Sequence, residues 1–170
     1  LLSGDGQIGV YDAATLERLA SWPSGGIGPH ALRLLADGRL AVANGGILTL
    51  PETGRAKLNL DRMDPSLAMI DAASGRLLAQ HRLPDPFMSV RHIAQHRGGQ
   101  VAVALQNEGN VPRPLLALLD GDRLRYADAD ASHLAACGDY AGDILALPQG
   151  FALSCTHAGV TALWRTDGTP

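Results

Sequence analysis

Apolar residues in this chain come in short runs, each closed by a polar turn, and the runs recur in a fixed order. One stretch is apolar over 31–36, turns at Asp37-Gly38, is apolar again over 39–44, breaks, and resumes over 67–71 to end at Asp71. A second repeats this at 91–96, Gly98-Gly99, 100–105 and 115–119, ending at Asp120. A third runs through 142–147, Gln149-Gly150, 151–156 and 160–165, and an incomplete copy ending at Asp12 opens the chain. Runs of this length, rich in Val, Ile, Leu and Ala and bounded by Gly, predict strands. Asp37-Gly38 and Gly98-Gly99 suit hairpin turns that need a positive φ. The Asp after each third run suits a turn in which its carboxylate accepts backbone N–H groups two residues on.

Fourth runs at 76–82 and 123–127 complete each unit as a four-stranded antiparallel sheet. Such units in series predict an all-β fold, a partial β-propeller of about three to four blades. Asp12, Asp71 and Asp120 are 59 and 49 residues apart, a blade-sized period with one enlarged member. Approximate blades fall at 1–23 (the end of one blade), 24–83, 84–130 and 131–170 (incomplete), all within one domain over 1–170. A two-sheet sandwich would not repeat the same turn chemistry at the same place. The stretch 16–22 could form a helix in isolation, but the repeat makes it the last strand of an earlier blade. With Leu1 at one end and the turn-like Asp167-Gly168-Thr169-Pro170 at the other, the sequence reads as a piece of a longer chain.

Composition removes several functions. Charged residues are 18% of the chain, the net charge is −3 and aromatics are 4%, which fits neither a basic nucleic-acid face nor a base-stacking platform. No apolar run has the length of a membrane-spanning helix. Cys137 and Cys155 suit a disulfide if the protein is exported. Two unrelated thiols, with Cys155 buried in a strand, is the preferred reading.

Strand parity sorts the loops. Turns from first to second and from third to fourth strands share one rim and are short. The other rim carries Ser24 to His30, Asn44-Gly45-Gly46, the long loop from Pro51 to Pro65, Ser89 to His92, Gln106 to Gly109, Asp139 to Asp143, and Thr156-His157. Function in repeat folds gathers on such a loop face. Aligned on their turns, the innermost strands put His30, Arg91 and Gly142 at one level and Ala31, His92 and Asp143 at the next. Side-chain alternation lets only one level point fully into the central channel.

Candidate ligand- or partner-binding residues on this rim are His30, Asn44, Arg55, Lys57, Asn59, Arg91, His92 and Gln106. Arg55, Lys57 and Arg91 could bind an anion, because a guanidinium fork matches a carboxylate. Salt bridges to Glu52, Asp61 or Asp64 would occupy them equally well. His30, His92 and Asp143 are weak metal candidates, since they come from different blades with no metal-ligand spacing. Ser66 and Ser89 lack the setting of a nucleophile. The glycines from Gly25 to Gly28 precede no helix and read as a tight crossing between blades, not a phosphate cradle. No catalytic residue or cofactor is indicated.

Five motifs stand in order with characteristic spacing: Gly26 to His30, Val42 to Ile47, Thr53 to Asp61, Pro65-Ser66-Leu67 and Val90-Arg91-His92. Together they closely resemble the domain-of-unknown-function 1513 family. The resemblance implies a seven-bladed propeller of the YVTN or quinoprotein amine dehydrogenase-like type. It implies a longer parent, commonly exported to the periplasm by a twin-arginine signal and encoded near imelysin-like and other iron-uptake genes. Where the family usually has Glu after Pro-His, this chain has Ala31, which removes a carboxylate from the level of His92. Asp143 stands where a small polar residue is expected.

The resulting expectation is a periplasmic, non-enzymatic propeller that binds a ligand or a partner protein, associated with iron uptake. The alternative is a metal-dependent hydrolase or oxidoreductase with its site at the channel mouth.

Overall fold

The computed structural model describes residues 6–50, 52, 54 and 56–170. Thirteen strands are assigned among them, in four antiparallel sheets. β1 (Gln7–Tyr11) pairs with β2 (Arg18–Pro23). The second sheet is the meander β3 (Pro29–Leu34), β4 (Arg39–Asn44), β5 (Ser66–Asp71) and β6 (Leu77–His81). The third is β7 (Met88–Gln95), β8 (Val101–Asn107), β9 (Leu116–Asp120) and β10 (Arg123–Tyr126). The fourth is β11 (Ala141–Leu147), β12 (Gly150–Cys155) and β13 (Val160–Arg165). This is the repeating antiparallel unit of a β-propeller, as the run pattern predicts, and 18–23 form a strand rather than a helix.

The turns follow their sequences. Gly38 and Gly99 both take positive φ, and each hairpin closes alike, Gly38 N–H to Leu35 O at 3.0 Å and Gly99 N–H to His96 O at 2.8 Å. Asp71 Oδ1 accepts from the N–H groups of Ala73 and Ser74, and Asp12 Oδ1 from Ala14 and Thr15. The Ser74 hydroxyl, which donates to Asp71 Oδ1, and then these backbone bonds hold the Asp71 carboxyl below its usual range; the backbone bonds do the same for Asp12. Gly75 completes the Asp71 turn with φ +74°; Leu16 holds the matching place after Asp12 with φ +60°.

Packing explains why the middle strands are apolar throughout. Ala41, Ala43, Leu67 and Met69 join the large core shared with β7–β10, whereas Val42, Ala68 and Ile70 pack with Ile8 and Trp22 of the first sheet. Successive residues of β4 and β5 thus serve opposite faces, and both faces are covered.

One helix departs from the all-strand expectation. α1 (Ala131–Cys137) is capped by Asp130 Oδ1, which accepts from His133 N–H at 2.8 Å, and ends at Gly138. The His133 ring lies against Trp164 of β13, centroids 4.5 Å apart, and Trp164 Nε1 donates to Asp128 O.

The three innermost strands share a second irregularity. Pro29 and Ala31 of β3 oppose Asn44 and Ala43, Val90 and His92 of β7 oppose Leu105 and Ala104, and Ala141 and Asp143 of β11 oppose Cys155 and Ser154. His30, Arg91 and Gly142 are therefore extra residues, three β-bulges at one level. A bulge bends its strand and breaks simple alternation, so the one-level-inward rule expected from parity does not apply here.

Candidate functional site

β7 lies between β3 and β11. The bulges of β3 and β7 turn His30 and Arg91 toward one another at the loop-rich rim. Arg91 Nη1 meets both nitrogens of the His30 ring, Nδ1 at 3.4 Å and Nε2 in closer contact. Desolvation by the surrounding protein, then the charge of Arg91, and then His92, push the His30 imidazole down to about 4, although the ring keeps a solvent-facing side. At neutral pH it is an uncharged acceptor for the guanidinium. Arg91 is itself mostly buried, its side chain 11% exposed, and desolvation lowers its pKa against the opposing influence of Glu108.

Glu108, at the end of β8, sits between two cations. One carboxylate oxygen takes a close contact from Lys57 Nζ and the other lies 3.6 Å from Arg91 Nη2. That second distance is an ion pair without a hydrogen bond. Arg91 Nε is buried and has no partner among the described residues. The expected alternative, pairing inside the long loop, is not what these residues show: Lys57 meets a carboxylate from another sheet, Arg91 faces that same carboxylate within its own sheet, and Asp64 is held by Arg82 through two bonds of 2.6 and 2.9 Å.

These side chains line a cleft of about 540 Å³. The loop bearing Lys57 forms one wall and is shaped by its own polar residues. Asn59 accepts from Leu48 N–H at 2.6 Å and donates to Gly46 O at 3.0 Å. Gly46 has φ +75°, and a Cβ there would stand 2.3 Å from Pro65 N, so only glycine fits. The opposite wall is Tyr140, stacked on His157 with centroids 4.3 Å apart. Gln106 lines the cleft and donates to Ala141 O at 3.3 Å, which fixes β8 to the start of β11.

The structure thus brings His30, Lys57, Arg91 and Gln106 together. Asn44 and Asn59 are buried in structural roles: Asn44 Nδ2 donates to Ser24 O and to Ser66 Oγ. Arg55 lies outside the described residues. His92 turns from the cleft to Asp143, Nδ1 to Oδ1 at 3.6 Å. The weak metal candidates are therefore divided, with His30 against a guanidinium that repels a cation. Among the described residues no group of three or more His, Cys, Asp or Glu side chains is placed to hold a metal ion. Glu108 and Tyr140 are site residues beyond those the sequence pattern predicts. The spacing of Glu108 from Gln106, two residues along an extended segment, carried the signal for a shared face.

Comparison with known proteins agrees with the architecture. The sequence matches the family model described as "Protein of unknown function (DUF1513)" over residues 1–170. No curated protein matches. The fold resembles the crystal structure of the WD40 beta propeller domain of Doa1, with TM-score 0.63 and 10% sequence identity over 95% of this chain. The chain spans 44% of that solved chain.

Proposed function

The chain belongs to the domain-of-unknown-function 1513 family, and from that footing we propose that it is a non-enzymatic binding propeller whose rim cleft takes a small carboxylate ligand or an acidic side chain of a partner. Its setting would be the periplasm, reached by a twin-arginine signal on the parent protein, beside an iron-uptake system. The setting rests on the family resemblance alone.

The observation that supports the binding reading is the state of Arg91. A largely buried guanidinium rests on a neutral imidazole, and among the described residues its nearest carboxylate is beyond hydrogen-bond reach and its Nε has no partner. Buried donors left unmatched are costly, and a guanidinium pairs best with a planar carboxylate. Lys57, 43% exposed, adds a second cation at the opening. Two cations against one Glu108 leave the cleft electropositive in a chain whose net charge is −3.

Citrate, a small tricarboxylate, is the probe. Isothermal titration should show saturable binding to the purified protein, abolished by Arg91→Gln and weakened by Lys57→Ala. An identical heat trace in the native protein and Arg91→Gln would reject the cleft as a carboxylate site. Fractionation of cells carrying the native gene tests the location; recovery only from the cytoplasm rejects export.

A further inference from the structure

The chain's two cysteines stand on separate elements that the fold brings together. Cys137 is the last residue of α1 and Cys155 the last of β12, and both are buried in the main core, 3% and 0% exposed. Three observations place them side by side. Ala141, four residues after Cys137, pairs directly with Cys155. A Cβ at Gly138 would lie 3.7 Å from the Cβ of Ala158 in the β12–β13 turn. Each thiol also perturbs the titration of the other, as only close neighbours do.

The structure assigns this pair as a disulfide site: a bond between Cys137 and Cys155 that fastens α1 to the β12–β13 hairpin when the chain folds under oxidising conditions. The oxidant is a low-molecular-weight disulfide such as oxidised glutathione. One cysteine thiolate attacks it, forming a mixed disulfide and releasing one thiol. The second cysteine then displaces the other half. Two thiol protons are lost, two electrons pass to the oxidant, and one S–S bond forms as another breaks.

Burial pushes the Cys137 thiol up to about 12 and raises Cys155 as well. Thiolate is the reacting form, so the folded dithiol exchanges slowly and the bond closes during folding. The bond would also steady the cleft, because the segment leaving Cys137 runs through Gly138 and Asp139 to Tyr140, its wall. It is independent of what the cleft binds.

The test uses the whole chain, produced once in an oxidising host compartment and once in a reducing one, then unfolded in iodoacetamide and weighed intact. The oxidised protein is expected as a monomer that takes up no iodoacetamide, with a mass 2 Da below the unalkylated reduced chain (two hydrogens lost). Digestion should yield one peptide pair joined through Cys137 and Cys155. Its Tm should exceed that of the same sample treated with reductant by about 5–10 °C, the scale expected for a short closed loop in a domain of this size. Two alkylated cysteines, a glutathione adduct, an interchain dimer, or an unchanged Tm after reduction would overturn the assignment.

Discussion

Replacing Glu108 with Gln separates the two things this residue does. Its carboxylate is the only described counter-ion near Arg91, at 3.6 Å, and it also holds Lys57. Glu108 and Arg91 are 10% and 11% exposed, so the pair is screened little by water. Removing one partner of a fully buried pair costs roughly 3–5 kcal/mol. Here the Arg91 separation exceeds a hydrogen bond and the cleft is open, so that full cost does not apply; the charge-assisted hydrogen bond from Lys57 sets the scale, roughly 1.5–3 kcal/mol, centred on about 2 kcal/mol. For a chain of this size that lowers Tm by about 4–8 °C. The same change removes the competitor for Arg91 and Lys57, so citrate should bind Glu108→Gln more tightly than the native protein. Saturating citrate should then restore most of the lost stability, since ligand at about 100 times Kd contributes roughly 2.7 kcal/mol. Differential scanning calorimetry with and without citrate reads both effects. If Glu108→Gln matches the native Tm and gains nothing from citrate, the reading of Arg91 as an under-neutralised buried cation is wrong.

His30 gives a pH signature. Its pKa is about 4 in the fold against 6.5 for the ordinary side chain, so between those values the unfolded chain binds more protons and stability rises with pH. The contribution is fully present above pH 6.5 and is lost as pH falls toward 4; with its solvent-facing side discounted it amounts to about 1–2 kcal/mol. Urea titrations across this window should show the slope, and His30→Gln should flatten it. An unaltered slope would place the titration elsewhere. Asn59→Ala should cost about 2–3 kcal/mol, because it orphans Leu48 N–H and Gly46 O and frees the Lys57 wall. Weakened citrate binding beyond that of Lys57→Ala would show the loop's placement matters; unchanged stability would refute the clip. Leu16→Gly should stabilise by about 0.5–1 kcal/mol, since Leu16 has φ +60° and is 74% exposed, so strain is relieved with little packing lost. A lower midpoint in chemical denaturation would contradict that.

The strands were legible because sheet packing writes directly into sequence. β4 and β5 are apolar on both faces because both faces are covered, and their turns need Gly and Asp for reasons of φ and N–H acceptance. The helix α1 was missed because its seven residues offer less than two turns of periodicity, and its signal lay only in the Asp130 cap and Gly138. At the site, Arg91 and His30 aligned correctly by counting from their turns. Their contact was not legible, because it depends on bulges that leave no mark in the pattern of apolar positions. An acid in its own loop was one of two readings for Lys57; Glu108 reaches it from another sheet, a proximity that only closure of the fold creates. Asn44 and Asn59 resembled ligand-binding residues because a buried amide serving backbone groups and an exposed one serving a ligand are identical in sequence.

The matching bulges have an evolutionary consequence. Each extra residue stands outside its ladder, so its side chain can be exchanged without disturbing the hydrogen bonds that hold neighbouring strands in place. Two such sockets, filled here by His30 and Arg91, let selection rewrite the chemistry of the central opening while the framework beneath stays constant; the third is held to Gly142, where a Cβ would stand 2.6 Å from Thr156 Cγ2. Relatives could therefore share this framework closely and still differ in what they capture.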